Sequence, residues 1–216
     1  MNDVLLQFGL KAFVTLLVVV DPLGVAPSFV GLTSHLARIE RSRTLLRAVI
    51  VAFGLSLFFL FAGRWVLFYL GVTVDAFAIS GGILLFLTSM PMLFGLRPRL
   101  QAPEHEEHAT AGEDIAIFPL AIPLLAGPGT ITTVLLFTTQ AAASAAHFMI
   151  LTAILAIVFL ISWAVLYAAD RIITRIGEGK VRILTRVLGI VLAALAVQYV
   201  LNGISGYFDF LQHREF

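Results

Sequence analysis

Cysteine is absent from the 216 residues. That excludes disulfides, thiolate metal sites and cysteine nucleophiles. Charge is also scarce. Asp, Glu, Lys and Arg make up 12% of the chain, against about 25% in an average soluble domain. The net charge of +1 gives no electrostatic reason to expect a nucleic-acid partner. No phosphate-binding loop is present, and no nucleophile–base–orienter set. An enzyme would need converging acid–base groups, and the apolar interior offers Asp21 alone. The start, Met1-Asn2-Asp3, lacks a basic leader, and no small-residue cleavage site ends the first apolar run. That run reads as a retained span.

What remains is apolar. Hydrophobic residues make up 60% of the chain, and mean hydropathy is +1.00. Such a composition predicts an all-helical polytopic membrane protein. Six spans are expected: Val4–His35, Leu45–Leu70, Asp75–Leu96, Ile115–Gln140, His147–Ala169 and Ile183–Tyr207. The one extended polar stretch, Arg97–Asp114, divides them into groups of three. This gives a first repeat over 1–96, a linker over 97–114 and a second repeat over 115–216.

Basic residues alternate between the connections. Arg38, Arg41, Arg43 and Arg47 precede or enter span 2, Arg97 and Arg99 follow span 3, and Arg171, Arg175, Lys180, Arg182 and Arg186 lie between spans 5 and 6. That places 11 of the 14 Lys and Arg residues on one side (4 + 2 + 5). The positive-inside rule predicts a cytoplasmic location for these connections, with both termini outside an inner (plasma) membrane.

Two spans are interrupted. Asp21-Pro22-Leu23-Gly24-Val25-Ala26-Pro27 breaks the first, and Ala126-Gly127-Pro128-Gly129 breaks the fourth. Proline removes helical hydrogen bonds, and glycine permits positive φ and close backbone approach. Irregular backbone and a carboxylate persist at membrane depth where protein or a water-filled cavity surrounds them. Asp21 reads either as a cation or proton site or as an N-cap, with Pro22 at N1. Free N–H groups at the half-helix starts, expected near Ala26–Ser28 and Thr130–Ile131, suit an anion. Carbonyls freed before each break suit a cation. A zwitterion needs both.

The halves also repeat. Asp21-Pro22 matches Gly127-Pro128, Ala62-Gly63-Arg64 matches Ala169-Asp170-Arg171, and Gly81 and Gly95 match Gly189 and Gly203, at offsets of 106 to 108 in the numbering. Three spans per half make the second half enter from the opposite face. The expected architecture is a 3+3 inverted repeat, with helices 1 and 4 broken near the midplane.

The DPLG run with Pro27 and Phe29, the run Pro119–Gly129, and Ile79-Ser-Gly-Gly-Ile-Leu-Leu-Phe86 together resemble the MarC family. Some of its members carry a polar residue, often Asn, after DPLG, where this chain has Val25 and Ala26. Pro91 also departs from the pattern. The family is also classed as neutral amino acid transporters, six-helix inner-membrane proteins of bacteria and archaea. The resemblance implies a secondary transporter of small neutral amino acids such as glycine or alanine. With no nucleotide motif, a gradient of H⁺ or Na⁺ would drive it, and no cofactor is implied. An exporter or channel for another small solute, or a structural subunit, are the other readings.

The residues expected to bind substrate are Asp21, Gly24, Pro27, Ser28, Gly127, Gly129 and Thr130. Thr130 stands nearest the glycines, while Thr132 and Thr133 follow it as alternatives. Gln198 and Asn202 are expected to bond between helices, with Thr88 and Ser89 at the equivalent part of span 3. Lys11 and Arg64 are expected to snorkel. Glu104-His105-Glu106-Glu107-His108 has metal-ligand chemistry but reads as a solvated linker.

Overall fold

The computed structural model describes residues 2–95, 115–141 and 144–212. Among these the regular structure is helical throughout. The elements are α1 (Asn2–Val20), α2 (Pro22–Leu32), α3 (Arg38–Tyr69), α4 (Val74–Phe94), the irregular α5 (Ala116–Leu125), α6 (Pro128–Ala141), α7 (Ala145–Tyr167), the short α8 (Ala169–Ile176) and α9 (Glu178–Gln212). Residues 97–114, with the His/Glu cluster, lie outside the described residues, as do Arg97, Arg99 and Arg214.

Five stretches are long and apolar enough to cross a membrane, and α5 with α6, bent by 53°, makes a sixth. Their outer faces are apolar. Phe58, Phe61, Phe68, Leu87, Leu160, Ile190 and Leu201 are all exposed. In water such a surface would aggregate; in a bilayer it is the lipid face.

Two helices are longer than expected. α3 has 32 residues and α9 has 35. At 1.5 Å per residue both exceed a hydrocarbon core of about 30 Å. Arg38–Arg47 therefore lie on the first turns of α3 and not in a loop, where a helix clear of hydrocarbon can carry charge. The connection before α9 contains α8, whose Ile172, Ile173 and Ile176 alternate with Asp170, Arg171 and Arg175 in an amphipathic pattern.

Packing crosses between the halves. α4 and α9 run antiparallel along most of their length. The pairing is read from glycines: Gly203 and Gly206 meet Asp75, Gly82 meets Ala196 and Val200, Gly189 meets Met92 and Leu93, and Gly95 meets Arg186. A Cβ on Gly82 would stand 2.7 Å from the Ala196 carbonyl oxygen, so the small residue sets the approach. α3 and α7 are also antiparallel, with Phe61 on Phe148 and Phe53 on Phe159. α1 packs on α7, while α3 packs on α5 and α6. α4 packs on α6, while α1 and α2 pack on α9. These contacts map onto one another when the halves are exchanged.

The larger core gathers Leu16, Val20 and Phe29 with Leu45, Leu60, Leu120, Leu125, Leu151 and Leu155. A smaller one joins Val19, Leu85, Leu192, Ala196 and Tyr199.

Candidate functional site at the two breaks

The first break is a single residue. Asp21 has φ 43° and ψ 63°, and among the described residues no other non-glycine has positive φ. Aspartate tolerates this left-handed state better than most side chains. Its Oδ1 accepts the Gly24 N–H at 3.0 Å, which caps α2, and Pro22 follows at the first helical position. The backbone bridges the break as well. Asp21 N–H donates to Leu17 at 3.1 Å, and Val25 N–H donates to Asp21 at 3.0 Å. Consequently Asp3–Leu32 still counts as one span.

This corrects the expected position of the second half-helix. It begins at Pro22, not near 26–28, because the Asp21 carboxylate caps the chain there at once. Pro27 lies inside α2 and is exposed, and Ser28 is half-buried one residue later. Neither stands at a helix start. Pro22 and Pro27 have no N–H, so Val18 and Leu23 carbonyls lack their helical donors. Asp21 itself is 7% exposed, and only Oδ1 has a hydrogen-bond partner among the described residues. Gly24 is required by this geometry. A Cβ there would overlap the Asp21 carboxylate and stand 3.1 Å from the Met92 methyl.

The second break is longer and differs in kind. Phe118 and Ile122 are extended, each just before a proline, Pro119 and Pro123. The segment before the break is thus not the regular helix that the apolar run suggested. Gly127 lies so close to the Pro123 carbonyl oxygen that a Cβ would overlap it. α6 then starts at Pro128, and the first-turn N–H groups of Gly129 and Thr130 have no helical acceptor.

Hydroxyls line this start. Thr130 Oγ1 donates back across the break to the Leu125 carbonyl at 3.0 Å. Thr133 Oγ1 donates to the Gly129 carbonyl at 2.8 Å and shares a 2.8 Å hydrogen bond with the Tyr199 hydroxyl. Thr132 Oγ1 is buried without a partner and lies against Gly81.

α4 brings the breaks together. Gly129 meets Leu85 and, at 3.3 Å for an added Cβ, Val19, two residues before Asp21. Gly24 meets Met92. Leu85 lies near the middle of α4. Met92 lies two turns nearer its end, about 10 Å along the axis. The breaks are therefore staggered in depth. Asp21 and Gly24 stand at the first break and Gly127, Gly129 and Thr130 at the second, while Pro27 and Ser28 follow about one turn further along α2. Val19, Leu85 and Met92 pack the space between the breaks.

Two residues here escaped the sequence reading. Tyr199 stands on the face of α9 that carries Leu192 and Ala196, and that spacing was its signal. Met92 follows Pro91 and had none. Gln198 and Asn202 are corrected too. They bond each other at 2.7 Å on the exposed side of α9, not a neighbouring helix. Thr88 and Ser89 donate to carbonyls of their own helix, Leu85 and Phe86. Among the described residues no group of three or more His, Cys, Asp and Glu could hold a metal ion.

Residues 6–208 match the family model of the MarC family integral membrane proteins. The chain belongs to the MarC family. Curated relatives span most of its length. A UPF0056 membrane protein of Methanocaldococcus jannaschii is 38% identical over 93% of this chain and 98% of its own. One from Pyrococcus abyssi is 36% identical over 96% of this chain and 99% of its own. One from Aquifex aeolicus is 34% identical over 92% and 94% respectively. No solved structure matches this MarC-family chain.

Proposed function

We propose that this MarC-family protein is a secondary transporter of small neutral amino acids, with the glycine and alanine size class as substrate. The observation that carries the reading is the meeting of two interrupted helices, one with a buried carboxylate and one with an uncapped start. The Asp21 carboxylate fills the positive end of α2, so a substrate carboxylate would go to Gly129 and Thr130 at the start of α6. The substrate ammonium would meet Asp21 Oδ2 and the freed Val18 carbonyl. The packed glycines leave little room for a large side chain.

The contacts that survive exchange of the halves support a 3+3 inverted duplication. Alternating access would rock one half on the other, with Gly24, Gly127 and Gly129 as the flexible points. A proton or Na⁺ moving through Asp21 would couple transport to a gradient. The basic end, with Arg38–Arg47 and Arg171–Arg186, would face the cytoplasm.

The test is uptake of labelled glycine and alanine into proteoliposomes with an imposed pH or Na⁺ gradient. Asp21→Asn is the informative variant. Asn caps a helix about as well as Asp and tolerates the left-handed state, so the fold is kept and only the charge is lost. The expected result is saturable, concentrative uptake by the native protein and loss of gradient-driven uptake in the variant. Flux that neither saturates nor accumulates would mean a channel. No flux of either amino acid in either direction would end the transport reading.

A further inference from the structure

The seam between α3 and α7 opens at both ends. One cleft, of about 480 Å³, lies beside Phe61, Arg64, Trp65 and Phe148. The other, of about 360 Å³, lies at the basic end and is lined by Arg38, Ile39, Ser42, Arg43 and Tyr167. The second has the stronger chemistry. Residues 38, 39, 42 and 43 recur at helical spacing, so they form one stripe on the first turns of α3. Two arginines, a serine and a tyrosine line it together, and among the described residues no carboxylate does.

The neighbouring charges are accounted for. Arg41 pairs with Asp170 of α8 at 2.7 Å and lies over the Phe29 ring at 4.8 Å. That pair fixes α8 against α3. Glu40 forms no ion pair with Arg38 or Arg43 among the described residues. Among the described residues, therefore, no anion is set against the two cations of the cleft.

Its surroundings are those of a membrane surface. Ile39 is exposed beside the arginines. Tyr167 stacks on Trp163 at 5.5 Å, an aromatic pair of the kind that sits at headgroup level. The amphipathic α8, with Ile172, Ile173 and Ile176, starts two residues after Tyr167. A soluble anion would need the cations but not this apolar rim. We infer that the cleft binds the phosphate headgroup of an anionic phospholipid from the leaflet at the basic end. The arginines would take the phosphodiester, Ser42 and Tyr167 would donate to its oxygens, and Ile39 would cover the first methylenes.

The two tryptophans allow a direct test, because they lie at opposite ends. Trp163 stacks on Tyr167 at the basic cleft, and Trp65 lines the other. In Trp65→Phe protein, reconstituted in phosphatidylcholine, Trp163 fluorescence is titrated with phosphatidylglycerol or phosphatidylcholine carrying brominated chains. The expected result is preferential quenching by phosphatidylglycerol, on the order of tenfold in relative binding. That preference should vanish in Arg38→Gln/Arg43→Gln, persist in Arg38→Lys/Arg43→Lys, and persist in Arg64→Gln. Quenching preference unchanged by the double Gln substitution would overturn the proposal. So would an equal preference at Trp65 in Trp163→Phe protein, which would mean general surface charge. Abolition of the preference by millimolar inorganic phosphate would assign the cleft to a soluble anion instead.

Discussion

Asp21 does two jobs that can be separated at the level of single residues. It caps α2 through Gly24, and it places a carboxylate in an apolar interior. Gly24→Ala addresses the first job. The added methyl would overlap the carboxylate, so the cap should fail at a cost of about 0.5–2 kcal/mol, read as a lower unfolding temperature in detergent. Asp21→Asn should leave that temperature nearly unchanged. Tyr199→Phe tests the hydroxyl chain at α6. It removes one partner of Thr133, which keeps the Gly129 carbonyl, so the expected loss is about 0.5–1.5 kcal/mol by the same measurement. Gly129→Val is expected to cost more, about 1–3 kcal/mol, because the side chain must displace both Leu85 and Val19.

At the scale of elements, long apolar runs made the spans legible, and proline with glycine made both breaks legible. Their detail was not. The Asp21 carboxylate caps the helix that starts at the very next residue, so the first interruption shrank from seven residues to Asp21 alone. Pro119 and Pro123 stood in the sequence, yet an apolar run hid the extended residues before each. The charged first turns of α3 were read as a loop, because composition does not show a helix that runs past the bilayer. The candidate site was legible as two breaks. Tyr199 left only its helical spacing with Leu192 and Ala196 as a sign, and Met92 left none, since tertiary packing brings both to the site. The α4–α9 register allows a direct check. The chain has no cysteine, so a Gly189→Cys/Met92→Cys pair is free of competing thiols. It is expected to cross-link readily, whereas Gly189→Cys with Ala78→Cys should not, as read by mobility on a gel. Gly82→Leu should push these helices apart and lower the unfolding temperature.

At the scale of the molecule, and among the described residues, the contacts between the halves outweigh those within them. α4 finds its main partner in α9, α1 in α7, and α3 in α5, α6 and α7. Arg41 and Asp170 add a tie between the first half and α8. A three-span half alone would leave most of its packing surface facing lipid. Among the described residues it is the match between surfaces that joins the two groups of spans. A gene split within 97–114 and expressed as two fragments should yield a stable heterodimer that co-purifies, while either fragment by itself is degraded. Such a result would make the two groups of spans partners that dock like separate subunits.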